Sequence, residues 1–326
     1  LFLSILKVPK SMSQASASAT TSNQMSLLSW FLLLLLGCLW GGAFFSAKIA
    51  VSQIPALPLV FLRVFIASIA LWAYAAVAGI AVRLTYRDIP IFLLLGLINN
   101  VLPFSLLFWS QQYIPSGLAA VLNAFTPIFT MLLAQIATSD ERLSVAKVVA
   151  AILGLGGVAV LVGQDAFAGE AGVFLPQVLC LTAALSYAFA FMLAKRMQGY
   201  STYTLAAGQL TGASVLLIPV LFISWNPGQS IALVELASVS SGVWVAVGAL
   251  ALVCTAACYL IYFKLIRDAG STNASLVTLI VPLSAILLGY VFLGEKLQVN
   301  HWIGGALIFT ALLLISGRIK LGRNRA

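Results

Sequence analysis

From Leu27 almost to the end, apolar residues come in long unbroken runs, neither the one-faced stripe of a soluble helix nor the alternation of a barrel strand. A membrane-crossing helix needs about 20 mostly apolar residues. Ten runs of roughly that length are predicted as spans: 27–49, 57–78, 89–112, 115–137, 145–163, 172–195, 203–224, 242–266, 272–294 and 299–317. The breaks between them carry turn or interface residues, as in "QIPALP", "RLTYRD", "SDERLS", "KRMQGYS" and "SWNPGQS". The predicted fold class is an all-α integral membrane protein. Residues 1–26 break the pattern: "KSMSQASASATTSNQMS" is Ser/Ala/Thr-rich without an apolar period and reads as a disordered tail. Its true start is expected nearer Met12 or Met25. A cleaved signal peptide is not expected, since the run at 27–47 is span length and others follow.

Composition agrees. The 326 residues are 62% hydrophobic and 8% charged, against about 25% charged in soluble domains. Seventeen basic residues against eight acidic ones would suit nucleic acid, but their placement points to topology. With the N-terminus in the cytoplasm, fourteen of the seventeen fall in cytoplasmic segments, only Lys48 and Lys296 fall outside, and Arg63 lies within a span. Both termini are therefore predicted cytoplasmic, in the cytoplasmic membrane, with some attraction to anionic lipid. The four cysteines, Cys38, Cys180, Cys254 and Cys258, lie inside apolar runs and read as packing residues. Neither a metal site nor a cofactor is expected.

The chain also repeats itself. "WGGAFFSAK" (40–48) matches "YAFAFMLAK" (187–195) at an offset of 147. "SGLAAVLNAFTP" (116–127) matches "STNASLVTLIVP" (271–282) at 155, and the segment from Glu141 matches that from Glu295 at 154. Five spans per half is an odd number, so the halves insert in opposite senses. Such inverted repeats characterise secondary transporters, with the substrate site between the halves. The predicted organisation is a tail (1–26), a first repeat (27–163), a connecting loop (164–171), a second repeat (172–317) and a basic tail (318–326).

In the first half Ser116, Ala120, Asn123 and Pro127 share one helix face; Ser271, Ser275, Thr278 and Pro282 repeat it. Each proline removes the bond to the carbonyl four residues back, at Asn123 and Thr278. Irregular backbone at membrane depth is tolerated where it is buried in protein or lines a cavity. Asn123 and Thr278 are therefore predicted as two walls of a transport pathway, and the small serines and Ala120 as helix packing.

The ordered set "LWGGAFFSAKIA", "FLRVFIAS", "GLAAVLNAFTP", "ERL…G…GVAVLVG" and "GEKL…G…LLLISG" resembles the drug/metabolite transporter superfamily, specifically its EamA family, over residues 27–317. The resemblance implies a secondary carrier with a central cavity and alternating access, usually exporting amino acids or related metabolites.

Further substrate-cavity candidates are Arg63, Trp40, Tyr187, Asn99, Asn100, Gln209 and Tyr259. Arg63 is the charge set inside a span; direct contact with an anion and a structural anchor both stay open. Trp40 and Tyr187 are equivalent under the 147 offset. Asn99 and Asn100 point about 100° apart, so at least one faces protein or water, and Pro103 frees the carbonyl of Asn99. Gln111 and Gln112 read as interface residues. Glu141 and Glu295 read as helix-start residues.

All eight carboxylates lie in loops or at span ends, and His301, the one histidine, opens the last span. No buried proton relay is evident. No "GxxxxGK[ST]" loop is present, so ATP drive would need another subunit, and no ATPase subunit is evident. A membrane enzyme would need a nucleophile with its base, or paired carboxylates, at depth. The alternatives retained are an importer or exchanger of another metabolite class, such as a nucleotide-sugar-like solute, and a membrane scaffold or receptor. The expected partners are a small-molecule substrate and the lipid bilayer, with no nucleic acid; oligomeric state is left open.

Overall fold

The computed structural model describes residues 25–82, 84–114, 116–137, 145–162, 174–223, 238–293 and 299–315. Among these residues the secondary structure is helical, with no strand. Lipid offers backbone groups no hydrogen-bond partners, so apolar runs satisfy themselves as helices. The expected tails and connecting loop, together with Glu141 and Glu295, lie outside the described residues, apart from Met25 and Ser26. Ser26 caps the first helix by accepting from the Ser29 backbone N–H at 3.0 Å.

The helices are α1 (Leu27–Ala50), α2 (Ala56–Ala78), α3 (Ile89–Gly96), α4 (Leu102–Ser110), α5 (Ser116–Asn123), α6 (Thr126–Ala137) and α7 (Val145–Val162), then α8 (Phe174–Arg196), α9 (Thr202–Ile223), α10 (Ser241–Gly248), α11 (Cys258–Ala269), α12 (Ser271–Ser275), α13 (Val277–Leu293) and α14 (Val299–Ile315). Two π-helical segments, Leu97–Val101 and Ala249–Ala257, join α3 to α4 and α10 to α11.

Six helical stretches are long and apolar enough to cross a membrane: Leu27–Ala50, Ala56–Ala78, Tyr86–Ser110, Phe174–Arg196, Thr202–Leu221 and Ser241–Ala269. Four further apolar stretches are shorter. Two of these fall where the sequence predicts one continuous span and the chain instead turns. The 115–137 run breaks at Ala124–Phe125, and the 272–294 run at Leu276.

Pro127 stands in the first turn of α6, where its missing N–H costs nothing. The carbonyl it would orphan, that of Asn123, accepts from Thr126 Oγ1 at 2.7 Å, so the acceptor expected to be free is capped locally. Pro282 lies inside α13, six residues past the break.

Packing pairs the helices in a repeating scheme. α1 lies on α13 as α8 lies on α6; α3 lies on α9 as the second π segment lies on α2; α4 lies on α8 as α11 lies on α1. α2 meets α9, and α7 meets α14. Close approach is set by glycine at the α3–α9 crossing. A Cβ on Gly96 would sit 2.5 Å from the Ala213 nitrogen, and one on Gly212 would sit 2.6 Å from the Phe92 oxygen. Small residues let helices pack when apolar burial gives no advantage over lipid.

Candidate functional site

A cavity of about 640 Å³, counting its open mouth, lies among α1, α2, α4, α5, α8, α11 and α13. Trp40, Phe44, Tyr187, Phe191, Tyr259 and Tyr262 supply much of its wall, with Phe104 and Phe108 on a further side. Matched positions from the two halves both line it: Trp40 and Tyr187, Phe44 and Phe191, and Asn123 and Thr278. The rings brace one another. Trp40 and Tyr262 have centroids 5.8 Å apart, Phe191 and Tyr262 4.9 Å, and Tyr259 and Tyr262 meet edge-on at 5.6 Å.

Arg63 is the charged residue of the lining. It is 5% exposed. Its Nε–H donates to Thr255 Oγ1 at 2.7 Å, and its guanidinium lies 3.7 Å from the Phe104 ring centroid and 5.8 Å from that of Phe108. Among the described residues no carboxylate lies within ion-pair distance of it. The aromatic face and one hydrogen bond hold the fork in place, which leaves its remaining N–H groups for whatever enters.

Two neutral amides join the hydroxyls of Tyr187, Tyr259, Tyr262 and Thr278 in the polar lining. Asn123 is 6% exposed and Gln111 1%. Asn123 Oδ1 and both amide atoms of Gln111 have no hydrogen-bond partner. Buried amides are nearly always paired, so partnerless ones on a cavity wall are ready to meet a solute. The Thr278 hydroxyl instead donates to the Ser275 carbonyl at 2.9 Å.

Of the predicted candidates, Trp40, Arg63, Asn123, Tyr187, Tyr259 and Thr278 line the cavity; Asn99, Asn100 and Gln209 do not. Those three form a buried network behind the wall. Asn99 Nδ2 donates to Gln209 Oε1 at 2.8 Å, and the Tyr259 hydroxyl donates to Asn100 Oδ1 at 2.6 Å. The physical reason is the π segment, which turns both asparagines toward α9 and α11. Because Pro103 has no N–H, it strips a bond from the widened turn before it. The Ile98 carbonyl accepts from Ser186 Oγ at 2.7 Å, and the Asn99 carbonyl from the Tyr259 hydroxyl at 3.2 Å. In the second half Thr255 Oγ1 caps the Leu250 carbonyl at 2.7 Å while accepting from Arg63.

Sequence reasoning missed Gln111, Thr255 and the paired phenylalanines. One signal was present. "FLRVFIAS" (61–68) and "AGQLTGAS" (207–214) align with Arg63 on Gln209 and end in the same Ala-Ser. Each of these two side chains reaches the π segment packed against its own helix, Arg63 to Thr255 and Gln209 to Asn99.

Ser271 and Ser275 are fully buried away from the cavity, as packing residues are; Ser271 Oγ donates to Met192 Sδ at 3.4 Å. The side chains of Ser116 and His301 lie outside the described residues. At the start of α3, Asp88 accepts from the hydroxyl of Tyr200 in the α8–α9 turn and from Thr85, whose N–H and Oγ1 lie 2.7 and 2.8 Å away. Burial first, then the bond to Asp88, pushes the Tyr200 hydroxyl up to about 12.

The model of the EamA-like transporter family matches residues 28–163 and again 175–317. An uncharacterized transporter of Archaeoglobus fulgidus is 26% identical over 286 residues, 88% of this chain and 98% of that one. A probable terminal-alkyne amino-acid exporter of Streptantibioticus cattleyicolor is 25% identical over 93% of this chain and 97% of its own. A probable amino-acid metabolite efflux pump of Escherichia coli is 26% identical over 89% and 95%. A solved crystal structure shares the fold at a TM-score of 0.71 and 17% identity, over 88% of this chain and 97% of that chain. Two family matches in tandem cover most of the chain: it belongs to the EamA-like transporter family and is a multi-pass membrane transporter.

Proposed function

We propose that the protein is a ten-span carrier of two inverted five-helix repeats, with both termini in the cytoplasm. It exports a small organic solute, an amino acid or a related metabolite, by alternating access. The observation that carries this reading is Arg63: a buried guanidinium, fixed by Thr255 and Phe104, in a cavity whose other lining residues are neutral. A fixed fork with free N–H groups suits a carboxylate. The aromatic walls suit an apolar body, and Asn123 and Gln111 offer acceptors and donors between them.

The ten-span topology is supported by the paired packing scheme and by two contacts between loops. Gln53 Oε1 accepts from the Ser240 N–H at 2.9 Å, and Tyr200 bonds Asp88. The charge pattern puts each pair on one side of the membrane, the first outside and the second inside. Transport follows from rocking one set of helix pairs against its mates around the fixed cavity. Names of two relatives as an amino-acid exporter and an amino-acid metabolite efflux pump support the substrate class and direction. A nucleotide-sugar-like solute fits less well, since its phosphates call for several basic groups in the cavity and Arg63 stands alone there among the described residues.

Counterflow in proteoliposomes tests the reading. Labelled amino acids and small metabolites are offered outside, with each unlabelled solute preloaded. Uptake of one solute only when its own unlabelled form is inside establishes carriage and names the substrate. Asn123→Leu is expected to abolish that uptake while leaving expression intact; unchanged uptake would remove Asn123 from the pathway.

A further inference from the structure

We infer that the cargo is an organic monoanion, a carboxylate on an aromatic or bulky apolar body without a free ammonium group, and that its export is electrogenic. The inference rests on the carrier reading above and narrows its cargo to a related metabolite, setting aside the free amino acid.

A zwitterionic amino acid brings two charges into the cavity. Arg63 answers the carboxylate, but among the described residues nothing charged answers the ammonium: the other lining residues are neutral, and every carboxylate of the chain lies outside the apolar spans. Asn123 Oδ1 and Gln111 Oε1 are lone acceptors, enough for an amide N–H or a hydroxyl but poor compensation for a desolvated cation. Empty, the cavity holds one uncompensated positive charge. A monoanion cancels it; a zwitterion pairs its carboxylate with Arg63 but leaves its own ammonium uncompensated; a cation is repelled. An acylated amine would satisfy the lone amide acceptors while removing the ammonium charge.

The direction of transport follows from the same charge count. With a monoanion bound, the Arg63 site crosses the membrane neutral, and it returns empty as a cation, so each cycle moves one net negative charge outward. The inside-negative potential of a cell drives that movement. One elementary charge at about 100 mV corresponds to roughly a fiftyfold outward gradient at equilibrium. Export would then need no proton relay, in keeping with spans that hold no carboxylate.

Three probes sharing one aromatic body separate the charge classes: N-acetyl-L-phenylalanine (anion), L-phenylalanine (zwitterion) and phenethylamine (cation). In detergent, at millimolar concentration, N-acetylphenylalanine is expected to raise the melting temperature of the purified protein more than phenylalanine does. Phenethylamine is expected to give no rise. This binding readout decides the charge preference even if no counterflow is found and the carrier reading fails.

Asn123→Asp places a carboxylate on the cavity wall with little change of shape. It should reverse the preference, shifting the affinity ratio of phenylalanine to N-acetylphenylalanine by tenfold or more. Arg63→Gln should abolish the N-acetylphenylalanine shift; if that variant does not fold, the Asn123→Asp reversal still decides. In proteoliposomes, a valinomycin potassium potential, negative inside, should accelerate net efflux of N-acetylphenylalanine and leave its one-for-one exchange unchanged. Stronger stabilisation by phenylalanine in the wild type, no shift with N-acetylphenylalanine, or net efflux indifferent to potential would each overturn the inference.

Discussion

Arg63 and Gln209 stand at equivalent points of α2 and α9, and their environments show how one repeat was turned to chemistry. Gln209 pairs with Asn99, and both are sealed behind the wall. Arg63 pairs with a hydroxyl and stacks on Phe104, so its charge faces the cavity. Away from the cavity, Tyr200 donates to Asp88 and joins the α8–α9 turn to the start of α3. The hydroxyl titrates at about 12, above the ordinary tyrosine value of about 10. A group whose folded pKa is raised contributes stability that is full below the unfolded value and is lost as pH rises through the folded one. The wild type should therefore exceed Tyr200→Phe in melting temperature by a constant gap up to about pH 10, and the gap should close by about pH 12. A gap that persists there unchanged would mean that it does not come from the protonated Tyr200 hydroxyl. The sequence made Arg63, Asn123 and the Trp40–Tyr187 pair legible, because a polar or matched aromatic residue in an apolar run is conspicuous. Gln111 was not, because a glutamine near a span end has an ordinary interfacial role, and only the fold shows that this one turns inward.

Helix boundaries followed the apolar runs closely, since in lipid nothing but a helix satisfies the backbone. The deviations were local and have backbone causes. Turns at Ala124–Phe125 and Leu276 interrupt predicted spans, and each π segment rotates the residues after it relative to a plain α-helix. Asn99 and Asn100, candidates for the wall by position, lie within the first segment and bond Gln209 and Tyr259 behind the wall; hydrophobicity carries no record of such a register change. The π segment at Leu97–Val101 is also pinned from outside by the Gly96–Gly212 crossing, where helices touch backbone to backbone. Gly212→Val would drive a side chain into the Phe92 carbonyl and is expected to cost about 1–3 kcal/mol or more, as overpacking does. At Gly156 in α7 an added Cβ would meet nothing within 4 Å, so Gly156→Ala should be neutral or stabilise by about 0.5–1 kcal/mol through helix propensity. Melting temperatures of the two variants in one detergent check the contrast. Equal effects would mean that glycine content, rather than the α3–α9 approach, sets stability.

Across the whole molecule, the repeat predicts which ends of helices share a side of the membrane, and the loop contacts can be tested against that assignment. With the N-terminus cytoplasmic, the turn after α4 and the Gln53–Ser240 contact fall outside, whereas the α8–α9 turn and the Tyr200–Asp88 contact fall inside. Two exposed residues report the two sides: Gln112 after α4 and Gln198 after α8. Single cysteines at these positions, in a chain whose four native cysteines are replaced, can be treated with a membrane-impermeant maleimide. Gln112→Cys should label in intact cells, and Gln198→Cys only after permeabilisation. The reverse pattern would invert the orientation and place both termini outside. Labelling of both from the same face would be more damaging. The segment 112–198 holds the predicted spans 115–137, 145–163 and 172–195, an odd number, so its ends must lie on opposite sides if each of them crosses. A shared side would mean that one of the three does not cross. The two halves would then no longer insert in opposite senses, and the pseudo-symmetric cavity would lose the geometry that alternating access requires.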